Sequence, residues 1–190
     1  AVLPRPSWWL WPQQIGLPIT SGKPEIGAIF FGVKQNRRMN LDAIDKKLLR
    51  LLQDDGRLSN ADLAQRIGLS ASACLRRLQR LEEQGVIAGY SATLNGEAIG
   101  KPTTVFIEVT LDSQVGTALD AFERAVAACE DILECHLMSG DFDYLLRVAV
   151  ADMRDYERVH RQRIAAFPHV ARIRTAFAMR AVVPRRGFAL

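Results

Sequence analysis

The stretch that decides the N-terminal fold is residues 59–85, SNADLAQRIGLSASACLRRLQRLEEQG. Apolar residues recur with helical spacing up to Ile67, where Gly68 interrupts the pattern. Ser70 is a suitable N-cap for a further helix, and Gly85 is suitable for its end. Two short helices joined by a glycine-containing turn are typical of a helix-turn-helix, whose second helix lies in the major groove of DNA.

The residues on either side extend this unit into a three-helix domain. Before it, Ile44, Leu48, Leu51 and Leu52 predict an amphipathic helix that stops at residues 54–56. Residues 59–62 resemble a capping box with Asp in place of Glu. After it, residues 86–94 predict a short strand, Asn95-Gly96 a turn, and Lys101-Pro102 a hinge. We therefore predict a winged helix-turn-helix domain over residues 39–102.

The second half of the chain alternates between strand and helix periodicity. Residues 105–111 alternate strictly, residues 115–126 have helical spacing, and residues 132–138 and 144–150 predict two strands joined by a hairpin. A helix over 153–167 and a long strand over 170–183 follow. The order β-α-β-β-α-β predicts a ferredoxin-like domain over residues 103–184, with residues 185–190 as a C-terminal tail. The fold class is therefore α+β.

One face of the predicted sheet has no helix to cover it. Apolar Phe106, Met138 and Leu145 are mixed there with the polar residues Glu108, His136 and Arg147. A partly apolar face favours a partner subunit. A solvated face with a few apolar residues is the alternative.

Composition excludes several other classes. No apolar run approaches the ~20 residues of a membrane helix, so we expect no membrane association. The three cysteines have neither zinc-ligand nor disulfide-framework spacing, and we expect no metal, no cofactor and a cytoplasmic location.

Residues 1–38 contain five of the eight prolines and all three tryptophans, and they supply most of the net charge of +4. We interpret them as a disordered or non-native extension, with Met39 favoured as the natural start.

The third helix contains the residues expected to bind DNA. We place Leu75, Leu78 and Leu81 on its buried side, which leaves three arginines exposed and no acidic residue between Ser70 and Leu81. Arg76 is predicted to contact base edges, and Arg77 and Arg80 to contact phosphates. The alternative is that these arginines only solubilise the helix. The full predicted set is Asn60, Ser70, Ala71, Ser72, Ala73, Arg76, Arg77, Gln79 and Arg80.

Several motifs resemble the Lrp/AsnC regulators. They are residues 41–45 (LDAID), 55–57 (DGR), 60–64 (NADLA), 67–70 (IGLS), 78–82 (LQRLE) and 85–87 (GVI), followed by 134–146 (ECHLMSGDFDYLL). The resemblance covers residues 41–183 and implies a transcriptional regulator of double-stranded DNA. It also implies dimers formed through the sheet, a larger ring, commonly an octamer, and an amino-acid effector bound between dimers. One departure is the pair Ala71 and Ala73, where leucine-responsive relatives tend to have prolines.

The resemblance places the effector near the loop between the two hairpin strands. A zwitterionic amino acid needs an acceptor for its ammonium group, which Asp143 or Asp141 supplies, and donors for its carboxylate, which the backbone around Ser139 and Gly140 supplies. The alternative is that this loop only makes a turn. The predicted set is Ser139, Gly140, Asp141, Phe142, Asp143, Tyr144, Ala165 and Ala178, with Asp143 the residue expected to matter most and the effector expected to be leucine-like.

Two other functions compete with this interpretation. The three histidines lie in different predicted elements, so no nucleophile and base can be paired and we expect no catalytic residues and no enzyme. An architectural, nucleoid-type protein that binds DNA with weak sequence preference uses the same residues. Measured specificity distinguishes that alternative from a sequence-specific regulator.

Overall fold

The computed structural model describes residues 40–183 and 186–190. The interpretation of residues 1–38, and of Met39 as a start, falls on residues outside the described part. Three helices come first: α1 (Ala43–Asp54), α2 (Asn60–Ile67) and α3 (Ala71–Glu83). Their buried faces form one apolar core around Leu48, Leu63 and Leu81. This is the predicted three-helix domain.

Side-chain caps fix where each of these helices begins. Asp42 accepts a hydrogen bond from the backbone N–H of Asp45 and forms a complete, reciprocal capping box with it. Ser59 and Ser70 cap α2 and α3 by the same kind of bond, as predicted. The capping box predicted at residues 59–62 is incomplete, because the Asp62 carboxylate accepts a hydrogen bond from the Ser59 hydroxyl rather than from the Ser59 backbone N–H. The left-handed Gly68 ends α2.

The strand predicted over residues 86–94 is wrong. Residues 86–95 form no strand in the described chain, although Val86 and Ile87 donate backbone hydrogen bonds to the Leu81 carbonyl at the end of α3. A strand needs a neighbouring strand to accept and donate its backbone hydrogen bonds, and the sheet lies elsewhere in the chain. Tyr90 instead anchors this segment by donating to a Glu82 carboxylate oxygen at 2.9 Å.

The second domain is the predicted ferredoxin-like fold. Strands β1 (Thr103–Leu111), β2 (Ile132–Leu137), β3 (Tyr144–Val150) and β4 (Val170–Phe177) form one antiparallel sheet in the order β2-β3-β1-β4. Helices α4 (Gly116–Ala127) and α5 (Met153–Gln162) pack Phe122, Tyr156 and Val159 against the alternate buried residues of β1 and β3. Both helices therefore cover the same face of the sheet.

Two element ends differ from the sequence prediction. The last strand stops at Phe177 rather than Val183, because its partner β1 begins at Thr103 and no further strand is present beyond that point in the described chain. The helix predicted over residues 153–167 ends at Gln162 and is followed by a single 3₁₀ turn, Ile164–Ala166. Neither difference changes which face of the sheet the two helices cover.

The uncovered sheet face carries the predicted mixture of side chains. Phe106 is 38% exposed there, opposite Arg147 on β3 and Ala176 on β4. Ion pairs lie across the same face, Glu134 with Arg147 at 2.6 Å and Glu108 with Arg174 at 3.7 Å. The helices of the described chain are all too short or too polar to cross a membrane.

Candidate nucleic-acid interface and ligand site

Helix α3 presents a different face to the core from the one predicted. Cys74 and Leu81 are fully buried and Leu78 is half-buried, whereas Leu75 is 43% exposed. The placement of Leu75 in the core is therefore wrong. The helix turns its 74, 78 and 81 stripe inward because that i, i+4, i+7 spacing matches the helical repeat, and Cys74 packs in the same apolar core as Leu48 and Leu63.

Arg77 lies on this inward side and is held by two aspartates. Its guanidinium donates to Asp42 at 2.6 Å and to Asp45 at 2.8 Å. These bonds, first to Asp42 and then to Asp45, raise the pKa of Arg77. Arg80 donates to the other Asp45 oxygen at 2.6 Å. Both arginines predicted to contact phosphates are thus committed to ion pairs within the domain, Arg77 more fully than Arg80.

Asp45 is the functional residue that sequence reasoning missed. Its side chain is 2% exposed, and its carboxylate joins the start of α1 to the middle of α3. Because a buried charge is retained only where it is paired, Asp45 fixes the position of α3 and of its arginines. The sequence signal for its burial is its position three residues before Leu48 and four before Leu49, which places Asp45 on the buried face of α1.

Asn60 also connects helices rather than facing outward. Its side-chain amide donates to the carbonyl of Ala71 at 2.9 Å, which holds the beginning of α2 to the beginning of α3. Ser70 is occupied as the cap of α3, and its hydroxyl lies 3.2 Å from that of Ser72. The predicted contacts of these residues with DNA stay predictions. Their observed role is to position the start of α3.

Ala73, Arg76 and Gln79 of the predicted set line one shallow groove along α3, whereas the exposed Ala71 and Ser72 do not. Arg76 and Gln79 are exposed, and within the described chain Arg76 forms no ion pair. The groove has a volume of about 570 Å³ and, apart from Glu83 at its end, no acidic lining residue. It is lined by Leu69, Ala73, Arg76, Arg77, Gln79, Arg80 and Glu83. The groove is concave, and Arg76 is its exposed cation without an ion pair in the described chain, available to a polyanion.

The loop between β2 and β3 holds the residues predicted to bind an effector. Asp143 is only 8% exposed, and its two oxygens accept from the Leu111 backbone N–H at 2.8 Å and from the Gln114 side chain at 2.7 Å. Within this chain Asp143 therefore positions the loop, and its predicted role in the effector response stays a prediction. Asp141 is the exposed carboxylate of the loop, beside exposed Ser139 and Gly140.

Tyr144 belongs to the core and not to the surface of the loop. It is 1% exposed, stacks on Phe122 with ring centroids 4.5 Å apart, and donates to a Glu123 oxygen at 2.8 Å. Desolvation and the Glu123 carboxylate raise its pKa, so its hydroxyl stays protonated. The preceding Phe142 is half-buried.

One chain does not bring all the predicted effector residues together. The loop lies where β3 begins opposite Val109, and Ala165 lies in the 3₁₀ turn near the same end of the sheet. Ala178 instead donates its backbone N–H to Thr104, at the opposite end of β1. Five residues of strand separate these ends, about 17 Å at the usual rise per residue.

The described residues offer no cluster of three or more His, Cys, Asp or Glu side chains that could hold a metal ion. The three cysteines are free, with Cys74 buried and the other two half-buried. Burial, followed by the nearby Glu123 charge, raises the pKa of Cys135 to about 12, so this thiol stays protonated.

Comparison with known proteins agrees with both halves of this geometry. A winged helix-turn-helix DNA-binding domain model matches residues 41–88, and the Lrp/AsnC ligand binding domain model matches residues 104–188. The leucine-responsive regulatory protein of Haemophilus influenzae is 45% identical over 150 residues, 79% of this chain and 90% of that protein.

Two solved structures have the same architecture. An AsnC family transcriptional regulator from Agrobacterium tumefaciens superimposes with a TM-score of 0.74 at 36% identity, covering 78% of this chain and 96% of that one. A transcriptional regulator from Neisseria meningitidis, in complex with L-methionine, gives a TM-score of 0.72 at 31% identity, covering 76% and 93%. These relatives are named as regulators, not enzymes. The chain belongs to the Lrp/AsnC family of DNA-binding transcription regulators.

Proposed function

We propose that this regulator recognises a specific DNA sequence through the outward face of α3 and responds to a small amino acid bound by its second domain. The observation that carries the proposal is the division of the arginines on α3. Arg77 and Arg80 are tied to Asp45, whereas exposed Arg76 makes no ion pair within the described chain. An arginine without a carboxylate partner has its donors available for the acceptors of a guanine edge.

The first experiment measures binding on a preferred duplex and on random duplex across a range of salt concentrations. Arg76→Ala is expected to cost about 1–3 kcal/mol on the preferred duplex and to relax specificity. The matched control is Arg50→Ala, which removes an exposed arginine from α1. Equal weakening on all sequences would show that Arg76 contacts phosphate. A specificity ratio near one for the parent protein would favour the architectural alternative.

The uncovered sheet face supports a homodimer. Phe106 and the ion-paired residues around it form a partly apolar surface that a second copy of the chain can cover. In sedimentation analysis Phe106→Glu is expected to yield monomers, and a dimer that persists would exclude this face. Larger rings, with an octamer as the expected size, rest on the family resemblance alone.

An effector site shared between dimers is supported by the separation of Ala178 from the loop. The resemblance assigns both Ala178 and the 139–141 loop to one site, and a second copy of the chain is needed to bring them together. Asp141 is our proposed acceptor for the ammonium group, with the backbone of Ser139 and Gly140 as donors to the carboxylate. A leucine-like side chain agrees with two of the relatives, one named as leucine-responsive and one in complex with L-methionine.

Thermal unfolding in the presence of each of the twenty amino acids tests this part, because a ligand that binds only the folded state raises its stability. L-Leucine or L-methionine is expected to give the largest rise. A panel without any shift would exclude an amino-acid effector. We propose that no cofactor takes part, and that the protein acts in the cytoplasm, where its DNA is.

A further inference from the structure

Residues 186–190 lie against the helix-turn-helix domain, far from them in sequence. The side-chain amide of Gln53, near the end of α1, makes two hydrogen bonds with the backbone of Phe188. It donates to the Phe188 carbonyl at 3.1 Å and accepts from the Phe188 N–H at 2.6 Å. A side-chain amide that pairs with both backbone groups of one residue fixes the position of that residue as a neighbouring strand would.

Two further contacts belong to the same docking. Leu190 packs against the apolar core of the helix-turn-helix domain. Gly187 approaches Gln53 so closely that a Cβ atom added to it would lie 2.7 Å from the amide carbon and oxygen of Gln53. A larger residue at position 187 would therefore push the Gln53 amide away from Phe188. Apolar contact, paired hydrogen bonds and a close approach thus occur within five residues.

The topology of the second domain explains why this segment reaches α1. The chain enters the sheet at Thr103 and leaves it at Phe177, and the Ala178 N–H donates to the Thr104 carbonyl. Entry and exit are therefore at the same end of the sheet. Lys101, just before the entry, is held to that domain by an ion pair with Asp155 at 2.9 Å.

We propose that residues 186–190 are a docking segment that binds α1 at Gln53. The segment fixes the helix-turn-helix to the ligand-binding domain at a second point, the first being the connecting residues 84–102. The segment follows β4 and Ala178, one of the predicted effector residues. Ligand binding at Ala178 is thereby linked to α1 through the chain that follows Ala178 and the two hydrogen bonds between Phe188 and Gln53. The docking stands on the contacts above; its use in the effector response rests on the proposed function.

A double-mutant cycle tests the docking. Gln53→Ala and Gly187→Ala are each expected to lower the melting temperature by about 2–4 °C, which is the usual effect of losing one or two hydrogen bonds in a protein of this size. Together they are expected to lower it little more than Gln53→Ala alone, because the truncation removes the two amide atoms that a Cβ at position 187 would meet at 2.7 Å and leaves the Cβ of residue 53 at 3.0 Å. Amide exchange at Phe188 is expected to accelerate in each variant.

The matched control is Gln65→Ala, which makes the same change at an exposed position of α2. Equal effects of Gln53→Ala and Gln65→Ala, or fully additive effects of the cycle, would overturn the docking. Both readouts are independent of any ligand.

The role of the docking in the effector response is tested by measuring DNA affinity without an amino acid, with L-leucine and, separately, with L-methionine. In the parent protein at least one amino acid is expected to change the affinity, and in Gln53→Ala the change is expected to shrink toward one-fold. A full response in a variant whose Phe188 amide has lost its protection would overturn the role in coupling. If neither amino acid acts on the parent, the proposed effector and the coupling both fail, while the cycle still decides the docking.

Discussion

Helix α3 and the loop over residues 139–144 both carry polar residues predicted to bind a ligand, yet the fold treats them differently. On α3, Arg76 and Gln79 remain exposed and Arg77 is drawn inward by Asp45. In the loop, Asp143 and Tyr144 are almost completely buried and only Asp141 keeps its carboxylate outside. The helix keeps the predicted base-contacting Arg76 exposed, whereas the loop buries Asp143, the residue expected to matter most, and exposes residues 139–141.

The difference lies in what determines the direction of a side chain. Along a helix the direction repeats every 3.6 residues, so an apolar stripe reveals the opposite face. A loop has no such repeat. The burial of Asp143 depends on Leu111 and Gln114, and that of Tyr144 on Phe122 and Glu123, which are distant in sequence. A charged residue in a loop is therefore a weaker predictor of a binding site than one on a helix.

The largest expected effect comes from removing the buried charge beneath α3. Asp45→Ala is expected to lower the free energy of unfolding by about 3 kcal/mol, because it leaves Arg77 and Arg80 without their buried partner. Urea unfolding measures this effect. Asp54→Ala, which removes an exposed carboxylate from the same helix, is the control and is expected to change stability by less than about 0.5 kcal/mol. Similar losses in the two variants would show that Asp45 does not organise α3.

The two aspartates of the loop are expected to separate stability from ligand binding. Asp143→Ala is expected to destabilise the protein by about 2 kcal/mol, because the buried Leu111 N–H loses its acceptor. Asp141→Ala is expected to change stability by less than about 0.5 kcal/mol and to weaken amino-acid binding measured by calorimetry. The opposite assignment, a stable Asp143→Ala variant that no longer binds, would restore Asp143 as the ammonium acceptor.

Salt dependence is expected to rank the inward arginines of α3. Arg80 has one carboxylate partner and is 45% exposed in its side chain, whereas Arg77 has two partners and is 26% exposed. If Arg80 contacts phosphate, Arg80→Ala lowers the slope of log affinity against log salt by about 1. Arg77→Ala is expected to lower it by less than half as much. Equal changes in slope would indicate that Arg77 leaves Asp42 and Asp45 when DNA binds.

The smallest expected effect concerns the junction with the second domain and depends on pH. The backbone N–H of Ala151, then Lys101 and Arg158, lower the pKa of Asp155. Because the folded-state pKa lies below the unfolded value of about 4, the stabilisation is complete above that value and is lost as pH falls toward the folded pKa. Asp155→Asn is expected to lower the melting temperature by about 2 °C at pH 7 and to flatten its fall below pH 4. Exposed Asp120→Asn is the control and is expected to leave that acid limb unchanged.

The sequence allowed much of the fold to be predicted because its local signals agree with one another. Ser59, Ser70 and Gly68 mark the ends of helices that the apolar spacing also predicts. The error in the buried face of α3 is small, because the prediction places Leu75 rather than the neighbouring Cys74 on that face. The strand predicted over residues 86–94 failed for a different reason: strand formation depends on a partner, and the local sequence does not contain one.

By itself, the sequence determined the elements, their order and the positively charged helix, because caps, turns and periodicity act over a few neighbouring residues. Only the tertiary structure decided which charges stay available. Asp45 forms ion pairs with two arginines of α3, and Gln114 donates a hydrogen bond to the carboxylate of Asp143. Gln53 accepts a hydrogen bond from Phe188, near the other end of the chain. These pairings join residues up to 135 positions apart, and desolvation and hydrogen-bond geometry select them only once the chain has folded.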